Sequence, residues 1–304
     1  MRVLVTGGAG FIGSTIVDAL EARGDLVVVV DDISTGDRAN LAPDIALRVA
    51  DVSDAKALSA AVHGEGFDAV VHCASRTKVV ESMEKPDLYR RVIVEGTRNV
   101  VRLAEQVHAQ ILVNISTGGA IYGETGVCAT EAVPVAPASN YGKFKAEAEQ
   151  IVGAAEIPNL TLRLANVYGP RQRQDLEGGV IAIFVGRWQR GEKLTVFGDG
   201  SAQRDYMYVG DVVDAVLAAF AGNWKGVYNI GTGVATSVNE LIAAMAEVLG
   251  PPPGITRAPD RPGEVQRSCV DASRAKRDGL WEQRTDLLDG LRRTASATAG
   301  DQVR

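Results

Sequence analysis

The sequence predicts an α/β protein built on a doubly wound parallel sheet, with a smaller C-terminal lobe. Short β-branched runs alternate with stretches of helical periodicity, the pattern of βαβ units with helices on both faces of one sheet. The strand candidates are apolar without alternation, as strands buried on both sides must be. A glycine cluster separates the first strand from the first helix.

Residues 2–6 read as the first strand and 13–23 as a helix, with Ile16, Val17, Ala19 and Leu20 at helical spacing. Gly24 stops that helix, and the second strand, 26–30, is an unbroken aliphatic run. Strands are expected again at 46–50, 69–73 and 111–115, with helical stretches between them, including 92–107 and 141–152. Residues 161–164 and 227–230 supply two more strands for the same sheet. The Gly- and Arg-rich stretch 168–205 belongs to a second lobe, and Gly250-Pro251-Pro252-Pro253-Gly254 is a rigid break before the last unit. The expected division is 1–165 plus about 206–232 for one domain, and about 166–205 plus 233–291 for the other. Beyond Leu291 the chain turns to Thr, Ala, Ser and Gly, and 292–304 is expected to be a frayed tail.

Composition narrows the function. The 304 residues are 46% hydrophobic and 23% charged, ordinary for a soluble globular chain with a sizeable core. No apolar run approaches the roughly 18 residues needed to cross a bilayer, and the N-terminus lacks a secretory pattern. A soluble, cytoplasmic protein with no membrane partner is expected. The net charge of −6 argues against a nucleic-acid partner. Cys73, Cys128 and Cys269 lie far apart in sequence, so neither a disulfide framework nor a thiolate metal cluster is expected. His63, His72 and His108 show no ligand spacing, and no metal is assigned.

The first candidate site is Gly7-Gly8-Ala9-Gly10-Phe11-Ile12-Gly13, between strand and helix. Glycines there let the backbone approach a pyrophosphate, while the helix N-terminus offers unpaired N–H groups and a favourable dipole. This is the Rossmann arrangement. Asp31 closes the second strand, where a carboxylate accepts hydrogen bonds from both ribose hydroxyls and repels a 2′-phosphate. Asp32 adds to the repulsion, so the cofactor reads as NAD rather than NADP.

The second candidate is Tyr141 with Lys145, four apart and therefore on one helical face. A free tyrosine, with pKa near 10, is too weakly acidic to act as a base at neutral pH. A neighbouring ammonium and a cationic nicotinamide would both favour the phenolate. The strand end Ile115-Ser116-Thr117 precedes the pair and points to the carboxyl edge of the sheet, where ligands bind in open α/β folds.

These residues resemble the extended short-chain dehydrogenase/reductases: the glycine turn, the Ser/Thr strand end and Tyr-x-x-x-Lys. Further segments make the chain similar to the NAD-dependent nucleotide-sugar epimerases, of the UDP-glucose 4-epimerase type. They are Arg163-Leu164-Ala165-Asn166-Val167-Tyr168-Gly169-Pro170-Arg171-Gln172, Phe197-Gly198-Asp199-Gly200 through Arg204-Asp205-Tyr206, Tyr228-Asn229-Ile230-Gly231-Thr232-Gly233, and Arg261-Pro262-Gly263-Glu264. They occur in family order and span the chain to about Leu291.

The resemblance implies roles. Gly7, Gly10, Phe11, Ile12 and Gly13 would hold the NAD pyrophosphate, Asp31 and Asp32 the adenosine ribose side, and Asp51 with Val52 the adenine. Tyr141 would be the base, Lys145 the anchor of the nicotinamide ribose, and Thr117 the partner of the sugar 4-hydroxyl, with Ser116 as its alternative. Asn166, Arg204, Arg261 and Glu264 would bind the UDP-sugar, and Ser268 would wall the sugar ring. The implied reaction is 4-epimerisation through a transient 4-keto sugar, by a homodimer paired through residues 92–107 and the Tyr141 helix.

Departures from the family pattern bear on the details. Ile93 stands where relatives usually carry Asn, and Thr77 with Lys78 stands where a lysine is often seen. Gly118-Gly119 follows Thr117 where sugar dehydratases carry an acid and a base, which argues against dehydration. Arg173 could meet a C6 carboxylate, keeping UDP-glucuronate open, and the small Ser268 keeps UDP-N-acetylglucosamine open. A non-catalytic NAD(H)-binding regulator is the reading from another class, and retention of Tyr141 and Lys145 weighs against it.

Overall fold

A computed structural model describes residues 1–175, 179–260 and 265–301. In chain order the strands are β1 (Arg2–Thr6), β2 (Leu26–Asp31), β3 (Ala46–Val49), β4 (Ala69–His72), β5 (Ile111–Thr117), β6 (Asn159–Leu164), β7 (Asn166–Tyr168), β8 (Leu194–Phe197), β9 (Gln203–Tyr208), β10 (Gly226–Ile230), β11 (Ala235–Ser237), β12 (Ile255–Ala258) and β13 (Arg267–Ser268). The helices are α1 (Phe11–Ala22), α2 (Ala55–Ala61), α3 (Val79–Glu84), α4 (Pro86–Arg90), α5 (Gly96–Gln106), α6 (Gly118–Ile121), α7 (Asn140–Gly153), α8 (Val180–Gln189), α9 (Val209–Ala219), α10 (Val238–Leu249), α11 (Ser273–Asp278) and α12 (Leu287–Asp301).

Seven strands form one parallel sheet in the order β10-β6-β5-β4-β1-β2-β3. Alternate residues of each strand feed opposite faces, because successive side chains point to opposite sides. Val3, Val5, Val29, Val71 and Val113 pack with Ile16, Val17 and Leu20 of α1 on one face. Leu4, Val28, Val30, Val70 and Leu112 pack with Leu58, Val100 and Leu103 on the other. Both faces are covered, so the strands carry no polar alternation. The strand order reverses between β1 and β4, and that switch point opens a crevice at the carboxyl ends of the strands.

A four-stranded sheet of β7, β9, β11 and β13 and the β8–β12 pair form beside it. Phe184, Trp188, Leu241, Met245 and Leu291 build their core from α8, α10 and α12. Strand β9 runs across the boundary expected near 205 and pairs with β7, β11 and β13.

Three expectations need correction. The stretch from 292 is not a frayed tail: α12 continues to Asp301. Leu291, Thr294 and Ala295 recur at helical spacing and are buried, and Gln189 Nε2 donates to Ala295 O at 2.9 Å. Small residues let this helix lie close to its neighbours. The 92–107 helix is interrupted by a π turn, Arg91–Glu95, before α5 begins.

Cys128 and Cys269 form a disulfide across 141 residues, with Cα atoms 4.5 Å apart. Distance along the chain did not measure distance in space. The C-terminal segment returns to the loop after α6, where Ala129 N donates to Cys269 O at 2.9 Å and Asp271 N to Ala129 O at 2.8 Å. Closing a loop this long is worth roughly 2–4 kcal/mol through the unfolded state. Cys128→Ser is expected to lower Tm accordingly, and a dithiol should bring the wild type to the same Tm without moving the variant. A wild-type Tm insensitive to dithiol contradicts the pairing.

Candidate functional site

A cleft of about 990 Å³ runs along the carboxyl edge of the main sheet into the smaller sheets. Gly7, Gly10, Phe11, Ile12, Gly13, Asp31, Asp32, Asp51, Val52, Thr117, Tyr141, Lys145, Asn166 and Arg204 all line it. Residues spread over the first two-thirds of the chain therefore converge on one cavity.

Its outer arm is the glycine turn. Gly7 sits at φ 69, in the left-handed region, and a Cβ there would press to within 2.5 Å of Ala74 N. At Gly13 a Cβ would collide with Gly7 O, so only glycine lets α1 pack back onto the turn. No side chain caps α1 and no acid occupies its first turn, which leaves that N-terminus to an anion. Asp31 is drawn to the turn: Oδ2 accepts Ala9 N at 2.9 Å and Oδ1 accepts Ile33 N at 2.8 Å. Burial pushes its pKa up despite those bonds, which favours ligand hydroxyls that can donate to its remaining lone pairs. Asp51 Oδ1 accepts Ser53 N at 2.8 Å, at the far wall beside Val52. This cradle, diol acceptor and apolar end fit a dinucleotide.

The inner arm joins β5 to α7. Thr117 ends β5 and caps α6 by accepting Ala120 N at 3.2 Å. Ser139 caps α7 by accepting Gly142 N at 3.1 Å, which places Tyr141 in the first turn and Lys145 one turn on. A Cβ at Gly142 would collide with Ala120 O, so this glycine lets the two helix starts meet. The Thr117 hydroxyl lies near enough to Tyr141 to draw its pKa down.

Burial dominates both ionisations. Tyr141 is pushed up to about 12, with Thr117 opposing. Lys145 is pushed down to about 8, with Glu149 opposing. Its Nζ donates to Ile115 O at 2.7 Å rather than sitting against the phenol. The protein alone therefore does not depress Tyr141 as the helical pairing suggested.

Ser116 is turned away from Thr117's role. Its hydroxyl donates to buried Glu149 Oε1 at 2.5 Å, and Glu149 is paired with Arg163 at 2.6 Å. Arg163 continues to Tyr122 Oη at 2.7 Å, and Tyr122 to Asn229 Oδ1 at 2.8 Å. Sequence reasoning missed this network, although Glu149 lies four residues beyond Lys145 on the same face. It also missed Ser82, whose buried hydroxyl accepts Tyr141 N at 3.1 Å and donates to Val79 O at 2.6 Å.

Ile93 lies in the π turn and packs with Tyr89 and Ala148 behind Tyr141. Thr97 Oγ1 donates to the Ile93 carbonyl at 2.5 Å, so it accepts from His72 Nε2 at 3.0 Å, and Thr6 donates to His72 Nδ1 at 2.7 Å. Burial holds His72 down to about 3, so this chain is neutral.

Of the implied substrate contacts among the described residues, Ser268 does not line the cleft. Ser268 is buried behind Gly119 and donates to its carbonyl at 3.1 Å. Arg261 and Glu264 lie outside the described residues. Arg173, the candidate carboxylate partner, bonds Asp175 at 2.6 Å and Thr35 O at 3.1 Å. Among the described residues no group of three or more His, Cys, Asp or Glu side chains forms a metal site.

Comparison with known proteins agrees with this geometry. Residues 3–231 match the model of the NAD dependent epimerase/dehydratase family. A UDP-glucose 4-epimerase of Mycolicibacterium smegmatis is 37% identical over 305 residues, covering 97% of each chain. The UDP-glucose 4-epimerase of Thermus thermophilus, solved as a complex with NAD, superposes with a TM-score of 0.93 at 38% identity, covering 99% of both chains. That of Thermotoga maritima, solved with UDP-glucose, superposes with 0.95 at 36% identity, covering 99% of this chain and 100% of the other. The glycine turn, the Thr117–Tyr141–Lys145 group and the seven-stranded sheet thus belong to an NAD-dependent enzyme, and the chain is a member of the NAD dependent epimerase/dehydratase family, within the extended short-chain dehydrogenase/reductases.

Proposed function

We propose that this enzyme interconverts the C4 epimers of a UDP-hexose of the glucose/galactose type. The observation that carries this is the meeting of Thr117, Tyr141 and Lys145 in the same cleft as the dinucleotide cradle. The similarity to UDP-glucose 4-epimerases across nearly the whole chain supports it.

NAD, held by the glycine turn and Asp31, would supply an acceptor for the sugar's C4 hydride and a donor to return it to the opposite face. The protein's own groups manage the proton and the pose. Thr117 Oγ1 holds the 4-hydroxyl beside Tyr141 Oη, which accepts its proton. Lys145 would grip the nicotinamide ribose, and the cationic nicotinamide would supply the positive charge that the buried phenol lacks. Asn166 and Arg204 line the cleft where the nucleotide would bind, with Arg261 and Glu264 proposed as further partners. Affinity concentrated at that end leaves the sugar free to turn while the 4-keto intermediate stays captured.

Gly118 and Gly119 offer neither acid nor base beside Thr117, so the keto sugar has no group to drive elimination. Arg173 already has Asp175 and Thr35 as partners, which disfavours a C6 carboxylate there. Gly119 backed by Ser268 keeps the sugar wall small, which leaves the N-acetylated substrate as the second reading.

We also propose a homodimer paired through α5 and α7, whose outer faces share a shallow groove lined by Val101, Ile151, Arg98 and Glu147. The division into an NAD-binding unit and a nucleotide-sugar lobe is proposed with β9 assigned to the latter. No helix among the described residues is long and apolar enough to cross a membrane.

Proton NMR of the purified protein, without added NAD, should show the C4 epimer of UDP-glucose, with UDP-N-acetylglucosamine and UDP-glucuronate in parallel tubes. If all three remain unchanged even with NAD supplied, the proposal fails. Tyr141→Phe is expected to lower kcat by about 10²–10⁴. Thr117→Ala should lower kcat, whereas Ser116→Ala should act mainly on Tm; the reverse pattern would assign the hydroxyl to Ser116.

Lys145 gives a signed pH test. Its folded pKa of about 8 lies below the ordinary lysine value of 10.5, so between these values the unfolded chain binds more protons. Stability contributed at this site therefore rises with pH from about 8 upward. In cofactor-free protein, unfolding free energy between pH 8 and 9.5 should rise more steeply for wild type than for Lys145→Met. Equal slopes would show that Lys145 is not destabilised by burial.

A further inference from the structure

The basic segment after β7 crosses the cofactor cleft. Gly169 turns the chain, and Arg171 sits at φ 67, a left-handed conformation unfavourable for a residue with a Cβ. That turn sends the Arg171 guanidinium to Asp18 of α1 at 2.8 Å. Arg173 then reaches the other flank, donating to Thr35 O at 3.1 Å, just beyond Asp31 at the end of β2. Gln172 pins the base of the segment by donating to Val167 O at 3.0 Å.

Asp18 lies on α1, which the glycine turn opens, and Thr35 lies in the loop beyond β2. A segment tied to both spans the dinucleotide arm, and Arg171, Gln172 and Arg173 line the same cavity as Gly7, Gly10, Asp31 and Thr35. Both ties are partly exposed: Arg171 and Asp18 retain 32% and 45% of their side-chain surface. Such contacts are individually weak and screened by salt, so they open without unfolding anything.

We propose that the Arg171–Arg173 segment is a strap that closes over bound NAD, latched by Arg171 on Asp18 and by Arg173 on the Thr35 carbonyl, and that it slows release of the cofactor. It rests on NAD binding and not on which sugar is used. A hydride that is borrowed and returned consumes no cofactor, so slow release suits the cycle.

The test is the rate at which protein loaded with labelled NAD loses it to an excess of unlabelled NAD. Asp18→Asn and Arg171→Ala are each expected to speed release about two- to fivefold, and the double variant no further, because both break one latch. The charge swap D18R/R171D should restore slow release. High salt should speed release from wild type more than from the double variant. The strap is refuted if Asp18→Asn leaves the rate unchanged. If Arg171→Ala alone speeds release, the latch is equally refuted, and Arg171 touches the cofactor itself. Both substituted side chains are partly exposed, so these variants leave the core untouched, and an unchanged Tm confirms that a faster release is not partial unfolding.

Discussion

The buried ion pair between Glu149 and Arg163 is the contact on which the site's geometry hangs. Both side chains keep under a tenth of their surface. Removing one partner of such a pair leaves a desolvated charge, at a cost of about 3–5 kcal/mol. Glu149 belongs to α7, Arg163 to β6, and Ser116 binds Glu149 from β5. Three elements are therefore locked at the place where β5 delivers Thr117 and α7 delivers Tyr141 and Lys145. Tyr122 and Asn229 extend the network to β10, and Asn229 Nδ2 donates to Ala129 O at 2.8 Å beside the disulfide. The C-terminal segment beside β5 is thus braced by the same polar chain that braces the Tyr141 helix.

The resting site is held short of proton transfer by burial. It raises Tyr141 and lowers Lys145, so at neutral pH the phenol is protonated while the ammonium is only marginally favoured. Glu149 is the charge that keeps the balance from tipping further at Lys145. On the proposed reading, a cation arriving beside the phenol would shift this balance, which would make the cofactor a condition for basicity as well as for hydride transfer.

How much of this was legible follows from what each feature depends on. Strands such as 26–30 declare themselves because burial on two faces forces a continuous aliphatic run. The glycine turn and the Tyr141–Lys145 spacing are local, and local geometry fixes what they can do. The Glu149–Arg163 pair was not legible: its partners meet only when α7 packs on β6 in the folded sheet. The Cys128–Cys269 bond depends on a return of the chain across 141 residues, which no spacing encodes. Helix α12 was missed for a different reason. Its Thr and Ala content resembles a polar tail, yet small residues are what a helix needs to lie against α10 and α8, and Gly290 is where Tyr168 Oη comes too close for any Cβ.

The sugar side is built by subtraction. Gly118 has no room for a Cβ against Val270, and at Gly119 a Cβ would crowd Asn166 Oδ1 at 2.6 Å. The residues following Thr117 are therefore glycines for packing reasons: a side chain at Gly118 would have to displace Val270 in the returning segment 266–270. That segment is held by Glu124, whose carboxylate accepts Gln266 N at 2.7 Å and Arg267 N at 2.9 Å. Buried Asp205 holds it too, accepting Val270 N at 3.4 Å and Thr232 N at 3.0 Å. On the proposed reading, a wall fixed this firmly, and lacking side chains at its closest points, would let a ring turn over without offering it a second reaction. Steric economy at Gly118 is imposed by the return of the C-terminal segment against the end of β5, and at Gly119 by Asn166; on the proposed reading the same economy withholds acid and base from a keto sugar.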